Sequence, residues 1–127
     1  SLPSTSPLRC VNDIEKALIK LKKTQADICI SITPSNRSPF FNMVKKNSEG
    51  FLEIVNGHEK TIINRQEAPK IFDITTVVYA AKPSFIMENY GIFSGNVTYI
   101  EVPRSRGIDI DDIYDFKLAE IILRENR

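Results

Sequence analysis

Apolar residues recur at helical spacing in two segments of the chain. The first extends from about Asn12 to Ala26, and Asn12 is its predicted N-cap because Glu15 follows three residues later. The second extends from about residue 112 to 125, and Asp111 is predicted to open it. The side chains that these helices are predicted to bury are Ile14, Ala17, Leu18 and Leu21 in the first and Ile113, Phe116, Ala119, Ile122 and Leu123 in the second.

Between the helices lie segments typical of strands. The segments Ile28 to Thr33 and Ile71 to Ala81 are largely apolar and rich in β-branched residues, which predicts strands covered on both faces. The segment Asn96 to Val102 alternates like a half-buried strand, and Pro83 is predicted to start a short helix through Asn89. Strands that alternate with helices predict an α/β fold with a mixed, mainly parallel sheet.

Residues 40 to 64 break that alternation. Phe41 to Lys45 and Phe51 to Val55 are short strand candidates joined by a turn at Asn47 to Gly50, and Asn56-Gly57 signals a second tight turn. We therefore predict a β-meander inserted between elements of the core.

Composition narrows the class of protein. With 127 residues, 42% of them hydrophobic, and a formal charge of +1, the chain fits one globular domain without a nucleic-acid-binding surface. The longest apolar run, Val77 to Ala81, is far shorter than the roughly 20 residues of a membrane helix. Cys10, Cys29 and His58 are too few for a disulfide framework or a zinc site. We expect both cysteines in the core, His58 exposed in a turn, and a cytoplasmic location.

The run from Ile108 to Asp112 carries the strongest chemical signal. If the chain is extended there, Asp109 and Asp111 point to one face with Cα atoms roughly 6.6 Å apart. Two such carboxylates suit Mg²⁺, which usually takes one or two from the protein. The alternative is that Asp111 only caps the final helix and Asp109 is solvated.

Three polar clusters allow binding or purely structural interpretations. Arg104 and Arg106 suit phosphate or carboxylate groups of a substrate, or they form ion pairs with the neighbouring aspartates. Arg65-Gln66 lies in a polar loop and is by itself a solvated pair. The turn from Thr5 to Arg9 is either a ligand-binding turn after a strand or a plain approach to the first helix.

Read together, the motifs closely resemble the acylneuraminate cytidylyltransferases, also called CMP-sialic acid synthetases. The segments that carry the resemblance are TSPLR at 5–9, NRSPFFNMVK at 36–45, RQEAPKIFD at 65–73 and PRSRGIDIDDIYDFKLAE at 103–120. The family joins CMP from CTP to a nonulosonic acid such as sialic acid, and it releases pyrophosphate with Mg²⁺ present. The resemblance implies a sheet of the nucleotide-sugar transferase type.

The resemblance also implies roles for single residues. Asp109 and Asp111 match the catalytic, metal-binding carboxylates, and Arg65 matches an arginine that meets the sugar carboxylate, often across a dimer interface. Tyr79 and Phe93 match residues that line the pocket for the acylamino group. The remaining substrate-binding candidates are Thr5, Ser6, Arg9, Gln66 and Arg104. The meander at 40–64 resembles the extension through which family members form homodimers.

Departures from the family pattern leave the sugar open. Pro3 stands where many members carry a sugar-contacting Gln, Thr75-Thr76 where many carry Asn-Gly, and Phe41 where some carry a substrate-contacting Lys. Sialic, legionaminic, pseudaminic and deaminated acids therefore all remain candidates. So do a related cytidylyltransferase for an eight-carbon sugar acid and an inactive dimerisation module.

The beginning of the chain is the largest departure. The family's N-terminal part has a strand and an Arg/Gly/Ser/Lys-rich loop that wraps CTP, whereas this chain opens near the TSPLR turn. The resemblance thus implies that the N-terminal nucleotide-binding part is missing. We expect little or no transferase activity from this chain alone.

Overall fold

The structure is a computed structural model that describes residues 1–57, 68–88 and 91–125. Two compact units divide the chain: Ser1–Thr33 together with Asp73–Arg127, and Pro34–Phe72. In chain order the elements are α1 (Val11–Lys23), β1 (Ile28–Pro34), β2 (Val44–Lys46), β3 (Leu52–Ile54), β4 (Phe72–Ala81), α2 (Pro83–Glu88), one turn of 3-10 helix (Ile92–Ser94), β5 (Val97–Glu101) and α3 (Ile113–Glu125). His58, Arg65 and Gln66, which the sequence analysis singled out, lie outside the described residues.

The first unit is built on a three-stranded sheet in the order β4-β1-β5. Strands β1 and β5 are parallel. Strand β4 runs antiparallel to β1, since the Lys82 N–H donates to the Asp27 carbonyl at one end (2.9 Å) and the Ser35 N–H donates to the Ile71 carbonyl at the other (3.0 Å). The predicted α/β class with a mixed sheet is confirmed. Among the described strands, however, parallel pairing is no more frequent than antiparallel pairing.

The core of the first unit lies between the sheet and α1, which packs against β5. All of β1 except Pro34 is buried, as its apolar run predicts. The buried core cluster consists of Ala17, Cys29, Val77, Val78, Ala80, Ile100 and Val102, with Leu21 packed against it. The core position predicted for Cys29 is confirmed, and burial raises the pKa of its thiol. Within the described ranges, no helix combines the length and apolarity needed to cross a membrane.

The N-terminus of α1 differs from its prediction. Helix α1 begins at Val11 with Cys10 as N-cap, two residues before the predicted cap Asn12. The Cys10 N–H donates to the carboxylate of Asp13, 3.1 Å away, so Asp13 takes the position in the capping box that Glu15 was predicted to hold. Cys10 is half-buried at this junction.

The predicted burial of the last helix is wrong for most of its apolar residues. In α3, Ala119 is buried, whereas Ile113, Phe116 and Leu123 are 58%, 52% and 48% exposed. Leu18 of α1, predicted to be buried, is also 47% exposed. Helical periodicity shows which side of a helix is apolar, but burial also requires a second layer of structure. Among the described residues, that layer reaches only part of these faces.

The second unit contains an antiparallel hairpin of β2 and β3, in which Val44 lies opposite Ile54. Its turn is the predicted one: the Asn47 side-chain oxygen accepts hydrogen bonds from the N–H groups of Glu49 and Phe51 (3.1 and 2.9 Å). Gly50 has φ +87°, a conformation that favours glycine. The observed strands are shorter than predicted, and residues 58–64 of the predicted meander lie outside the described residues.

Candidate functional site

Three segments of the first unit meet at the candidate site: the turn at 5–9, the middle of β4 and the segment before α3. The Ile110 N–H donates to the Thr5 carbonyl over 2.9 Å. The hydroxyls of Ser6 and Thr76 share a hydrogen bond of 2.5 Å, and Ser6 is only 1% exposed. These two hydrogen bonds join residues that are far apart in the sequence: Ser6 and Thr76 are separated by 70 positions, and Thr5 and Ile110 by more than 100. The Thr5 side chain is exposed.

A bulge in β4 presents Thr76 to this site. The hydrogen bonds Lys82–Asp27 and Ser35–Ile71 mark the two ends of the β1–β4 pair. Between them β1 advances by eight positions and β4 by eleven, so β4 contains extra residues. The Ser31 hydroxyl fills the gap, accepting hydrogen bonds from the Thr75 hydroxyl (2.8 Å) and the Val78 N–H (3.0 Å). Ser31 is fully buried. A lone serine in an apolar strand was the only sequence signal for this bulge, and the sequence analysis missed it.

Gly107 lets the segment before α3 pass close to β4. A Cβ at this position would lie 3.0 Å from Cγ2 of Thr75 and 3.8 Å from Cβ of Thr33. A side chain at this position would make a tight contact with the Thr75 methyl group, which would have to shift by a few tenths of an ångström. Sequence reasoning did not identify Gly107, because nothing local marks a close approach between residues more than 30 positions apart.

Asp109 is half-buried beside Tyr79. Its Oδ1 atom is buried and has no hydrogen-bond partner among the described residues. Burial raises the pKa of Tyr79, and the negative charge of Asp109 raises it further, so the two side chains interact. A buried carboxylate oxygen without a donor is costly. It is the strongest chemical anomaly in this unit.

Asp112, and not Asp111, caps α3. The Asp112 Oδ1 accepts hydrogen bonds from the N–H groups of Tyr114 (2.7 Å) and Asp115 (3.0 Å), and the Asp115 carboxylate accepts one from the Asp112 N–H (3.2 Å). The alternative that Asp111 serves as the cap is therefore wrong. Asp111 is exposed, and its carboxylate makes no hydrogen bond to any described residue.

Arg104 and Arg106 form no ion pairs with the described aspartates at 109–112. Arg106 binds Asp13 of α1 through two hydrogen bonds, Nη2 to Oδ1 at 2.7 Å and Nε to Oδ2 at 3.1 Å. The interpretation of Arg106 as the ion-pair partner of the aspartates just downstream is therefore wrong. Arg104 is exposed and forms no ion pair with the described residues. Neither Asp109 nor Asp111 therefore pairs with an arginine among the described residues.

Asp13 is 1% exposed, yet it remains an ion-pair partner. Burial by itself raises the pKa of its carboxyl, but hydrogen bonds from Arg106 and Cys10 outweigh that effect, and the net pKa is lowered. The pair joins the start of α1 to the turn after β5.

Arg9 stabilises the turn that it ends. Its Nε donates to the Ser6 carbonyl over 3.0 Å, and its Nη2 donates to the Pro3 carbonyl. These bonds give Arg9 a structural role, and the predicted contact with substrate remains a prediction for its other N–H groups.

Tyr79 and Phe93 have different surroundings. Tyr79 lines an apolar groove of about 560 Å³ together with Leu18, Val78 and Ile92, and Phe93 is not part of its lining. The Phe93 side chain is 69% exposed on the single turn of 3-10 helix. Their predicted shared role in sugar binding remains a prediction, as do those of Arg65 and Gln66 outside the described residues.

The oxygen donors of Asp109 and Asp111 are of the chemical type that a hard divalent cation prefers. Over residues 1–57, 68–88 and 91–125, no group of three or more His, Cys, Asp or Glu side chains is placed to hold a metal ion. Mg²⁺ does not need such a group, because it commonly takes one or two carboxylates and fills its other positions with water and phosphate oxygens. The unpartnered Oδ1 of Asp109 and the free carboxylate of Asp111 offer those ligands.

Comparison with known proteins identifies two relatives of the chain. The chain is 30% identical over 124 residues to the post-translational flagellin modification protein B of Campylobacter coli, covering 98% of this chain and 52% of that protein. It is 31% identical over 94 residues to the CMP-N,N'-diacetyllegionaminic acid synthase of Campylobacter jejuni, covering 74% of this chain and 39% of that protein. The chain is a homologue of both proteins. The predicted resemblance is thereby confirmed, consistent with a CMP-sialic acid synthetase-like family.

The extent of the match limits what carries over. The chain spans about half the length of the first of these relatives and less of the second. No protein-family model matches the chain. The homology therefore shows that the chain is related to these proteins, while the activity of a whole protein is a matter for proposal.

Proposed function

We propose that this chain contributes the metal-binding and sugar-acid-binding side of a cytidylyltransferase. The reaction transfers CMP from CTP to the anomeric hydroxyl of a nonulosonic acid and releases pyrophosphate. Homology to a CMP-N,N'-diacetyllegionaminic acid synthase supports this reaction class, and it favours a legionaminic-type acid as the substrate.

The observation that carries the proposal is the unsatisfied carboxylate of Asp109. Its Oδ1 is buried without a partner among the described residues. Asp112 caps α3, whereas the Asp111 carboxylate makes no hydrogen bond to a described residue. An inactive dimerisation module gives no reason to retain this destabilising arrangement, whereas a cation site does.

In this proposal Asp109 and Asp111 hold Mg²⁺. The bound ion supplies charge neutralisation for the phosphates of CTP. The turn at 5–9 presents the exposed Thr5 side chain to the substrate, and Ser6 fixes that turn through the hydrogen bond of its buried hydroxyl to Thr76. Tyr79 lies beside Asp109. The hydrogen bond from Ile110 to Thr5 keeps the carboxylate segment and the turn in register.

Other parts of the proposal rest on the resemblance. Arg9, Arg65, Gln66, Phe93 and Arg104 are proposed to contact the substrates. We also propose that the segment 40–64 forms a homodimer interface and that the protein works in the cytoplasm. Exposed apolar side chains on the hairpin, Phe51 (68%) and Leu52 (67%), are compatible with such an interface.

The metal site can be tested on the 127-residue chain by NMR titration with Mg²⁺. We expect shifts in the amides of 109–111, and we expect Asp109→Asn and Asp111→Asn each to weaken binding about tenfold or more by removing a charged ligand. The matched control is Asp112→Asn, which removes an adjacent charge while Asn still serves as an N-cap. Equal Mg²⁺ affinity in all four proteins would contradict the proposed site.

The reaction itself can be tested by pyrophosphate release from CTP with N,N'-diacetyllegionaminic acid or N-acetylneuraminic acid. We expect this chain alone to release little pyrophosphate. Any release should depend on Mg²⁺, should be greater with the legionaminic acid, and should be abolished by Asp109→Asn but retained in Asp112→Asn. Release that persists in Asp109→Asn would contradict the proposed role of that carboxylate.

A further inference from the structure

One wall of the apolar groove beside Tyr79 comes from the stretch of chain between β4 and β5. In this stretch the groove, of about 560 Å³, is lined by Ile86 of α2 and Ile92 of the 3-10 turn. Its volume lies within the usual range for small-molecule sites, roughly 300 to 1,000 Å³. We call the described residues of this stretch, 82–88 and 91–96, the wall segment.

Asp27, just before β1, binds both ends of the wall segment. At one end, the Lys82 N–H donates to the Asp27 carbonyl (2.9 Å), and the Lys82 ammonium donates to Oδ1 of the Asp27 carboxylate (3.2 Å). At the other end, the Asp27 N–H donates to the Asn96 carbonyl (2.8 Å), and the Asn96 N–H donates to Oδ2 of Asp27 (3.0 Å). A single residue therefore closes the base of the wall segment.

The wall segment fits closely against its support at Gly95. A Cβ at this position would lie 2.6 Å from Cε2 of Phe85 and 2.8 Å from Oδ2 of Asp27. Both distances are too short for a real contact, so a side chain here would displace the backbone or its neighbours. Phe85 is 8% exposed, and its buried ring has little room to move aside.

The turn that carries Ile92 is closed by its own hydrogen bonds. The Ser94 N–H donates to the Gly91 carbonyl (3.1 Å), and the Gly91 N–H donates to the Ser94 hydroxyl oxygen (3.2 Å). These bonds fix the shape of the turn but not its position relative to β4. The contacts at Gly95 and Asn96 determine that position, because they join the turn to Phe85 and Asp27.

We propose that Asp27 is a positioning residue for the groove: it holds the wall segment in place and thereby controls how tightly the groove binds a sugar acid. The inference rests on the proposed function, in which Tyr79 and Phe93 contact the substrate. A wall that is held in place before binding does not have to be ordered by the ligand, and affinity is higher for that reason.

The Asp27 carboxylate is expected to act mainly through Asn96. The ion pair with Lys82 is exposed on both sides, with 45% of the Lys82 side chain and 30% of the Asp27 side chain accessible, and exposed pairs are weak. The hydrogen bond from the Asn96 N–H to the carboxylate is charge-assisted and is therefore the stronger contact.

Amide hydrogen exchange of the 127-residue chain tests whether Asp27 holds the wall segment. We expect Asp27→Ala to speed exchange at Ser94 and Asn96 about tenfold more than at Val78, whose N–H is bonded within the buried bulge of β4. A general loss of stability would speed exchange at all three amides alike. Asp27→Asn keeps an acceptor for the Asn96 N–H and should restore most of the protection.

NMR titration with N,N'-diacetyllegionaminic acid tests the effect on the groove. We expect Asp27→Ala to weaken binding about fivefold because it releases the base of the wall segment. We expect Gly95→Ala to weaken binding by a similar factor, because its Cβ pushes the wall segment away from Phe85 while the Asp27 carboxylate is kept.

Each substitution has a matched control. Asp73→Ala removes an exposed carboxylate at the other end of β4. Gly91→Ala adds a Cβ within the same turn, at an ordinary contact distance of 3.5 Å from the Ser94 hydroxyl oxygen. Both controls should bind the sugar acid as the unmodified chain does and should keep the protection at Ser94.

Three results would overturn the proposal. One is that Asp27→Ala speeds exchange at Ser94 no more than at Val78. The others are unchanged sugar affinity in both Asp27→Ala and Gly95→Ala, and equal losses of affinity in the two controls. The expected exchange pattern in a chain that binds no sugar acid would support Asp27 as the residue that holds the wall and would contradict the proposed function, so the two inferences can be separated.

Discussion

Two aspartates of the first unit, Asp13 and Asp109, both lie near the start of a helix but differ in their hydrogen-bond partners. Asp13, in the first turn of α1, is almost fully buried, and both its oxygens accept hydrogen bonds from Arg106, with a further one from the Cys10 N–H. Asp109, just before α3, has a buried oxygen with no partner among the described residues. The residue type is the same, but the surroundings are complementary in one case and not in the other.

The comparison separates a structural carboxylate from a functional one. A buried charge that is paired and hydrogen-bonded is compatible with a stable fold, whereas one without donors opposes folding. Violations of this kind concentrate where a protein binds or reacts with something else. We therefore expect substitutions at Asp13 and its partner to affect stability, and substitutions at Asp109 to affect binding.

The largest effect is expected for Arg106→Gln, which leaves Asp13 buried without its cation. We expect it to lower the free energy of unfolding by about 3 kcal/mol, near the low end for a buried pair because the Arg106 side chain is 32% exposed. Urea denaturation measures this. Asp109→Asn should change stability by less than about 0.5 kcal/mol or increase it. Equal losses in both variants would remove the distinction between the two carboxylates.

The next effect is the stabilisation of the fold by Mg²⁺. At a concentration ten times its dissociation constant, the ion should stabilise the unmodified chain by about 1.4 kcal/mol, because it binds the folded state. Thermal unfolding with and without Mg²⁺ measures this. Asp112→Asn should retain the effect and Asp109→Asn should lose it at the same ion concentration. A Mg²⁺ effect that persists in Asp109→Asn would place the ion elsewhere.

A third prediction concerns acid. The pKa of Asp13 is lowered in the folded state, so its contribution to stability is present above the ordinary aspartate pKa, about 3.9, and is lost as the pH falls through the lower folded value. The difference in unfolding free energy between the unmodified chain and Arg106→Gln should therefore shrink as the pH falls below about 4. Urea denaturation at a series of pH values measures this. A difference that stays constant down to pH 2 would show that the pair does not act through charge.

The smallest effect is a shift in the titration of Tyr79. Its pKa is raised by burial and then by the charge of Asp109, so Asp109→Asn should lower it toward the ordinary tyrosine value while burial keeps it raised. Ultraviolet absorbance during alkaline titration, with Tyr79→Phe to assign the signal, measures this. The control is Asp112→Asn, because the Asp112 carboxylate caps α3. This variant should shift the Tyr79 pKa less. The same shift in both variants would contradict a specific Tyr79–Asp109 contact.

Much of the local structure follows from the sequence alone. The apolar runs of β1 and β4, the alternation of β5, Pro83 at the start of α2 and the Asn47 turn of the hairpin each depend on neighbouring residues, and all were predicted. The motifs around the candidate site also predicted the homology.

Other features depend on contacts between distant parts of the chain. Arg106 forms its ion pair with Asp13, which is 93 positions away, and not with the aspartates within six residues of it. Ser31 completed a bulge more than 40 positions away. Local spacing cannot rank such partners, because the choice depends on which side chains the sheet brings within hydrogen-bond distance.

The sequence by itself therefore determined the secondary structure, the mixed α/β class and the family resemblance, since these depend on periodicity and motif order. Only the tertiary structure decided which carboxylates are used for stability. Asp13 pairs with a cation and Asp112 caps a helix, whereas Asp109 and Asp111 have neither kind of partner among the described residues. The physical reason is that each aspartate has the same chemistry, and its surroundings determine whether its charge is satisfied within the fold.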